Sequence, residues 1–123
     1  MSGNKFLLDT NAILYMLGGD ITLSEFLYEK QLYISIITEM ELLSYKNITI
    51  KEQKIITSFL KELIVININD DIKVNTIELK KKFHLKLPDC IIAGTSLWLK
   101  IPLITSDKQF KTLTNFDLVY YEK

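Results

Sequence analysis

Short apolar runs alternate with longer amphipathic stretches along the chain. The first run, Phe6-Leu7-Leu8, has no polar alternation, which is typical of a strand buried on both faces. Similar runs predict further strands at residues 32–35, 64–66, 102–104 and 118–120. Because strands alternate with predicted helices, we expect parallel βαβ units in an α/β fold. The predicted architecture is a three-layer α/β/α domain with a five-stranded parallel sheet.

Between these strands the apolar positions repeat with helical spacing. Helices are predicted at residues 12–17, 23–28, 36–45, 51–63, 70–83, 88–100 and 107–113. In residues 51–63 a set of apolar side chains shares one face opposite the lysines: Ile55, Ile56, Phe59, Leu60 and Leu63. The helix that Pro88 opens is apolar nearly all round, so we expect it to be deeply packed.

Length and composition narrow the class of protein. A chain of 123 residues fits one domain spanning residues 1–123. Its 15 basic and 15 acidic side chains balance, so there is no global electrostatic case for a nucleic-acid partner. The single cysteine, Cys90, excludes an internal disulfide and a cysteine zinc cluster, which favours a reducing cytoplasm. No secretory pattern and no membrane-spanning apolar segment is found, so we expect no membrane partner.

Four carboxylates follow a predicted strand or lie at the amino end of a predicted helix: Asp9, Glu41, Asp89 and Asp107. In a parallel sheet all these places lie at one edge, where the strands' carboxyl ends meet. Carboxylates gathered there would repel one another, because the same motifs carry no arginine or lysine. A divalent cation would relieve that repulsion. Oxygen donors favour Mg²⁺ or Mn²⁺ over zinc.

Each acid also has a purely structural interpretation. Asp9 is placed to cap the helix that begins near residue 12, and Asp89 to favour a helix dipole from its first turn. Thr38-x-x-Glu41 and Ser106-x-x-Gln109 both match the capping-box pattern.

Glu41 differs from its neighbour Glu39 in its surroundings. It lies among Met40, Leu42 and Leu43, whereas Glu39 points to the other side of the helix. We therefore expect Glu41 to be the half-buried acid, which needs a partner such as a metal.

Four motifs resemble those of one nuclease family. They are Leu7-Leu8-Asp9-Thr10-Asn11, Ile36-Ile37-Thr38-x-x-Glu41-Leu42, Leu87-Pro88-Asp89-x-Ile91-Ile92-Ala93 and Leu103-Ile104-Thr105-Ser106-Asp107-x-x-Phe110. In order and spacing they look like the motifs of PIN-domain ribonucleases, and most closely those of the VapC toxins of type II toxin–antitoxin pairs. The resemblance runs nearly end to end and implies the same α/β fold.

The resemblance also implies chemistry and partners. It implies endonucleolytic cleavage of an RNA substrate that depends on Mg²⁺ or Mn²⁺, a small antitoxin protein as partner, and a homodimer. Asp9, Glu41, Asp89 and Asp107 match the family's acids. Gln109 stands where many relatives carry another acid, and this departure argues against a second tightly bound metal ion.

We hypothesise that Asp9 and Asp89 are the primary metal ligands and that Glu41 and Asp107 complete the pocket. A second set of residues is placed to orient water, carboxylates or a phosphate oxygen: Asn11, Thr38 and Ser106.

Other interpretations stay open. A basic cluster contains Lys80, Lys81, Lys82, His84 and Lys86, and it is either a solvated helix face or a contact for the RNA backbone. A receiver domain would need paired acids after the first strand, and a haloacid-dehalogenase-type phosphatase would need a second aspartate at position 11. The main alternative is a PIN scaffold that binds RNA or protein without cleaving it.

Overall fold

The computed structural model describes residues 2–122 and contains a five-stranded sheet in which every neighbouring pair is parallel. The spatial order is β3-β2-β1-β4-β5. The strands are β1 (Lys5–Leu8), β2 (Gln31–Ser35), β3 (Ile64–Ile66), β4 (Leu103–Thr105) and β5 (Leu118–Tyr120). The predicted fold class is confirmed, and all five strands lie where the apolar runs predicted them.

Six α-helices connect the strands within the described residues. They are α1 (Thr10–Leu17), α2 (Ile21–Phe26), α3 (Ile36–Leu43), α4 (Ile50–Leu60), α5 (Asp70–Lys82) and α6 (Leu87–Leu99). The helix predicted at residues 107–113 is a 3₁₀ helix, Lys108–Thr112, and another 3₁₀ turn covers Ser2–Asn4. Among residues 2–122 no helix is long and apolar enough to cross a lipid bilayer.

Two apolar cores lie on opposite faces of the sheet. Strand β1 contributes to both, because Phe6 and Leu8 pack with α1, α2 and α4 while Leu7 packs with α5 and α6. All three side chains are buried, as expected for a strand covered on both faces. The helices therefore form two outer layers around the sheet, which completes the predicted three-layer architecture.

Two predicted apolar faces are less buried than their sequences indicate. Ile55 is exposed although Ile56 and Leu60 of the same helix are buried, because α4 buries only a narrow stripe. Helix α6 is buried from Ile92 to Ser96 but leaves Trp98 exposed near its end. It packs closely on α5 because Gly94 has no side chain: a Cβ there would lie 2.9 Å from Thr76 Oγ1.

The sheet register explains how residues distant in the chain come together. Strands β1 and β4 are neighbours, and Leu8 pairs with Ile104 across them. The residues that follow these positions, Asp9 and Thr105, are therefore adjacent at the carboxyl edge of the sheet. Strand β2 ends at the same edge at Ser35, where α3 begins.

Candidate active site

A pocket of about 390 Å³ opens at this edge of the sheet, and all four predicted acids line it. Asp9 and Asp107 follow strands directly or closely, while Asp89 lies in the first turn of α6. Glu41 lies on α3. The structure thus brings together carboxylates that lie up to 98 positions apart in the chain.

Asp9 lies deepest in the pocket, with a side chain only 4% exposed. One carboxylate oxygen accepts a hydrogen bond from the Ala12 backbone N–H at 2.8 Å, and the other accepts one from the Thr105 hydroxyl. The pKa of Asp9 is raised to about 6, because burial and the charges of Asp107 and Asp89 outweigh the two hydrogen bonds, which lower it. Asp9 therefore caps α1 and also faces other acids.

Asp89 is half-buried and accepts no side-chain hydrogen bond from residues 2–122. Burial raises its pKa, and so do the charges of Asp107 and Glu41, whereas Lys86 lowers it. Asp89 does lie in the first turn of α6, as the helix-dipole interpretation expects, but it caps no backbone N–H there, because α6 begins without a side-chain cap. Its carboxylate oxygens remain available to a ligand.

Asp107 caps the 3₁₀ helix that follows β4. Its carboxylate accepts a hydrogen bond from the Gln109 backbone N–H at 2.9 Å. The predicted capping box from Ser106 is wrong, because Asp107 itself occupies the cap position. A carboxylate has about four acceptor sites, so capping leaves Asp107 free to face the pocket with its other oxygen.

The prediction that Glu41 is half-buried is wrong. Its side chain is exposed, and Glu39 is the partly buried one of the pair. The capping box from Thr38 is wrong as well, because α3 already begins at Ile36 with Ser35 as its cap. Glu41 nevertheless lines the pocket, where its carboxylate accepts a hydrogen bond from the Thr10 hydroxyl.

The residues predicted to orient water or substrate have different locations. Asn11 is exposed and lines the pocket. Thr38 is buried beneath it, with Oγ1 3.3 Å from Thr10 Oγ1. Ser106 does not line the pocket and lies instead beside Tyr121. Burial raises the pKa of Tyr121, and the contact with Ser106 lowers it. The buried hydroxyl of Tyr121 makes no standard hydrogen bond to a described residue.

Sequence reasoning missed Thr105, which connects two of the acids. Its buried hydroxyl donates to Asp9 and accepts from the Asp107 backbone N–H at 2.9 Å. It also missed Thr10, the donor to Glu41. The signal for Thr105 is its place at a strand end, but only the adjacency of β1 and β4 shows that it reaches Asp9.

Part of the basic cluster has a structural role. Lys80 donates from Nζ to the Leu85 backbone carbonyl at 2.9 Å and so fastens the connection between α5 and α6. Lys86 immediately precedes α6 and is close enough to Asp89 to lower its pKa. Lys81, Lys82 and His84 are exposed. Positive charge therefore borders the pocket beside Asp89.

The carboxylates fit a hydrated divalent cation better than a closed metal cage. In the described part of the chain, no salt bridge joins any of them to a lysine. Among residues 2–122, however, no three potential ligands form a ready metal shell. Mg²⁺ usually binds through one or two carboxylates and keeps several waters. An all-oxygen, negatively charged pocket of this kind matches that preference.

The family comparison agrees with the fold. The PIN domain profile matches residues 6–115. The chain therefore belongs to the PIN-domain family. A search of curated proteins gives no match.

Solved structures with a similar fold include a chain of a toxin–antitoxin complex and chains of VapBC proteins. A chain of a toxin–antitoxin complex from Klebsiella pneumoniae is 29% identical, with a TM-score of 0.82 over 95% of this chain and 98% of that one. VapBC-1 from nontypeable Haemophilus influenzae is 25% identical, with a TM-score of 0.76 over 94% and 97%. VapBC2 from Rickettsia felis, bound to a promoter DNA fragment, shares the fold at 21% identity and a TM-score of 0.82 over 96% and 99%.

Asp9 should make the metal-free protein less stable as pH rises from about 4 to about 6. Its pKa is raised from 3.8 to about 6 in the folded state, so within that window the folded state binds more protons than the unfolded state. The free energy of unfolding should fall by about 3 kcal/mol across it. Asp9→Asn should remove much of this dependence, which urea unfolding in EDTA at several pH values will measure.

The control for this prediction is Asp71→Asn, which removes an exposed aspartate of α5 outside the pocket. It should retain the wild-type pH dependence. A wild-type protein that becomes more stable between pH about 4 and about 6, with Asp9→Asn following the same curve, would contradict the burial of a charged Asp9.

Proposed function

We propose that this protein is a metal-dependent endoribonuclease and the toxin of a type II toxin–antitoxin pair. The observation that carries the proposal is the convergence of Asp9, Glu41, Asp89 and Asp107 in one pocket of a PIN fold. The pKa values of Asp9 and Asp89 are raised by burial and by the charges of neighbouring acids, Asp107 in both cases, and a cation in the pocket would offset that repulsion.

Asp9 and Asp89 would hold Mg²⁺ or Mn²⁺, directly or through water, and Glu41 and Asp107 would complete the acidic shell. Bound there, a divalent cation lowers the pKa of a water and neutralises charge on the phosphate under attack. Ala12 and Thr105 each donate a hydrogen bond to a different oxygen of Asp9, so the orientation of its carboxylate is fixed. The exposed amide of Asn11 contacts a phosphate oxygen or the attacking water at the pocket wall.

The partners follow from the relatives. The similar structure from Klebsiella pneumoniae is a toxin–antitoxin complex, so we propose a small antitoxin as the protein partner. Homodimer formation, which the family resemblance implies, and a cytoplasmic location, which a single cysteine favours, are proposed with it. A short upstream reading frame encoding a DNA-binding protein is expected beside the gene. Co-expression of that protein should relieve growth arrest caused by this chain alone; arrest that persists would contradict the pairing.

Purified protein should cleave a labelled single-stranded RNA in the presence of MgCl₂ or MnCl₂. This cleavage should stop when EDTA is added. The reason is that four carboxylates repel the phosphate until a cation screens them. Gel analysis of the products over time measures the rate, and calorimetric titration with Mn²⁺ measures binding without any substrate.

The non-catalytic alternative makes the opposite prediction. A PIN scaffold that binds without cleaving would leave the RNA intact with either metal, even at high protein concentration. Cleavage that continues in EDTA would contradict metal dependence and would indicate a contaminating nuclease or a different mechanism. Heat-inactivated protein from the same preparation serves as the matched control.

A further inference from the structure

One wall of the acidic pocket is an exposed aromatic ring. Tyr45 lies just beyond the end of α3, after the C-cap residue Ser44, and it lines the pocket together with Glu41. Its side chain is 43% exposed. The charge of Glu41 contributes to a raised pKa of Tyr45, although burial contributes more, so the phenol lies within electrostatic range of the acids.

The other apolar side chains of the pocket do not offer a free surface. Phe110 and Ile92 are 1% and 2% exposed and belong to the core. By contrast, no aromatic ring or cation of the described residues covers Tyr45, whereas Tyr15 contacts Tyr121 and Lys111 covers Tyr120. Tyr45 is therefore the aromatic face that a ligand in this pocket can reach.

We propose that Tyr45 is a stacking platform for an unpaired base next to the scissile phosphate, and that this residue favours an unpaired over a paired segment of the RNA. This inference rests on the proposed nuclease function and assigns a residue that binds its substrate. Stacking on an aromatic ring accepts any base that is not already stacked and paired. A base within a duplex has both faces covered and cannot reach the ring without being flipped out.

The charges around the pocket support this placement of the RNA strand. The phosphate approaches the acids through their cation, while the neutral base lies outside them against Tyr45. Lys46 follows Tyr45 and is exposed, so it can contact the phosphate of the adjacent nucleotide. A pocket of about 390 Å³ is at the small end of the range for ligand sites, which suits one nucleotide rather than a paired helix.

The test measures binding of a single-stranded RNA that carries 2-aminopurine, with CaCl₂ as the cation. Wild-type protein should quench the 2-aminopurine emission and bind the single strand more tightly than the same sequence annealed to its complement. Tyr45→Ala should lose the quenching and weaken binding about 5- to 100-fold. Tyr45→Phe keeps the ring and should stay within about twofold of wild type. In cleavage assays with MnCl₂, Tyr45→Ala should raise KM more than it lowers kcat.

The matched control is Tyr28→Ala, which removes a 73%-exposed tyrosine outside the pocket and should bind like wild type. Tyr45→Ala with wild-type affinity, Tyr45→Phe as weak as Tyr45→Ala, or equal binding of duplex and single strand would each overturn the stacking proposal. If wild type cleaves RNA and Tyr45→Ala binds it normally, the stacking proposal is wrong and the nuclease proposal stands. If wild type quenches the 2-aminopurine emission but does not cleave RNA, Tyr45 binds a base and the nuclease proposal is wrong.

Discussion

Asp89→Asn is expected to lower the rate of RNA cleavage about a thousandfold while the protein stays folded. The charge of Asp89 interacts with those of three other acids of the pocket, Asp9, Asp107 and Glu41. It also accepts no side-chain hydrogen bond in residues 2–122, so its oxygens are free for a cation. Initial rates with MnCl₂ measure the effect, and calorimetry should show weaker Mn²⁺ binding.

The control separates a metal ligand from a helix-dipole residue. Asp71 lies in the first turn of α5, as Asp89 lies in the first turn of α6, and both helices have 13 residues. Asp71→Asn should therefore lose a similar dipole contribution, which is worth about 0.3–1 kcal/mol, without affecting cleavage. Unchanged cleavage by Asp89→Asn would remove this acid from the mechanism. Equal losses in both variants would reduce its role to helix stability.

Much of the fold could be predicted because its strands are short and apolar on both faces. The segment from Phe6 to Leu8 has no polar position to expose, so it is buried on both faces. A helix follows most of the strands, and strands joined through helices run parallel in one sheet. The order of the strands was not predicted, since it depends on which helices pack together. Burial around α4 was also misjudged at Ile55, because an apolar face in sequence is wider than the stripe that packs.

The acidic set could be predicted from topology, but the surroundings of each acid could not. Placing Asp9 and Asp107 after strands was enough to expect them in one place, and the pocket contains both. The expected burial of Glu41 failed although the start of α3 at Ile36 was predicted. Its apolar neighbours Met40 and Leu43 are themselves exposed, so they do not mark a buried face of the helix. Thr105 was missed for another reason: its partner lies 96 positions away on a neighbouring strand.

Thr105→Val is expected to lower RNA cleavage about 10- to 100-fold, the range for residues that hold a metal ligand in place. Valine has nearly the same shape but cannot donate to Asp9 or accept from the Asp107 backbone N–H. The buried polar groups left without a partner should also reduce the free energy of unfolding by about 1–3 kcal/mol. Because the lost hydrogen bond lowers the pKa of Asp9, that pKa should rise and the pH–rate profile should move toward higher pH.

A shift of the pH–rate profile distinguishes positioning of Asp9 from a general loss of stability. Thr105→Ser keeps the hydroxyl and should restore both the rate and the profile. Thr95→Val is the matched control, because Thr95 is also buried but its hydroxyl donates to the Ile91 carbonyl of its own helix. It should cost stability without moving the profile. If Thr105→Val is slower but keeps the wild-type profile, Thr105 supports the fold of the sheet edge and does not tune the carboxylate.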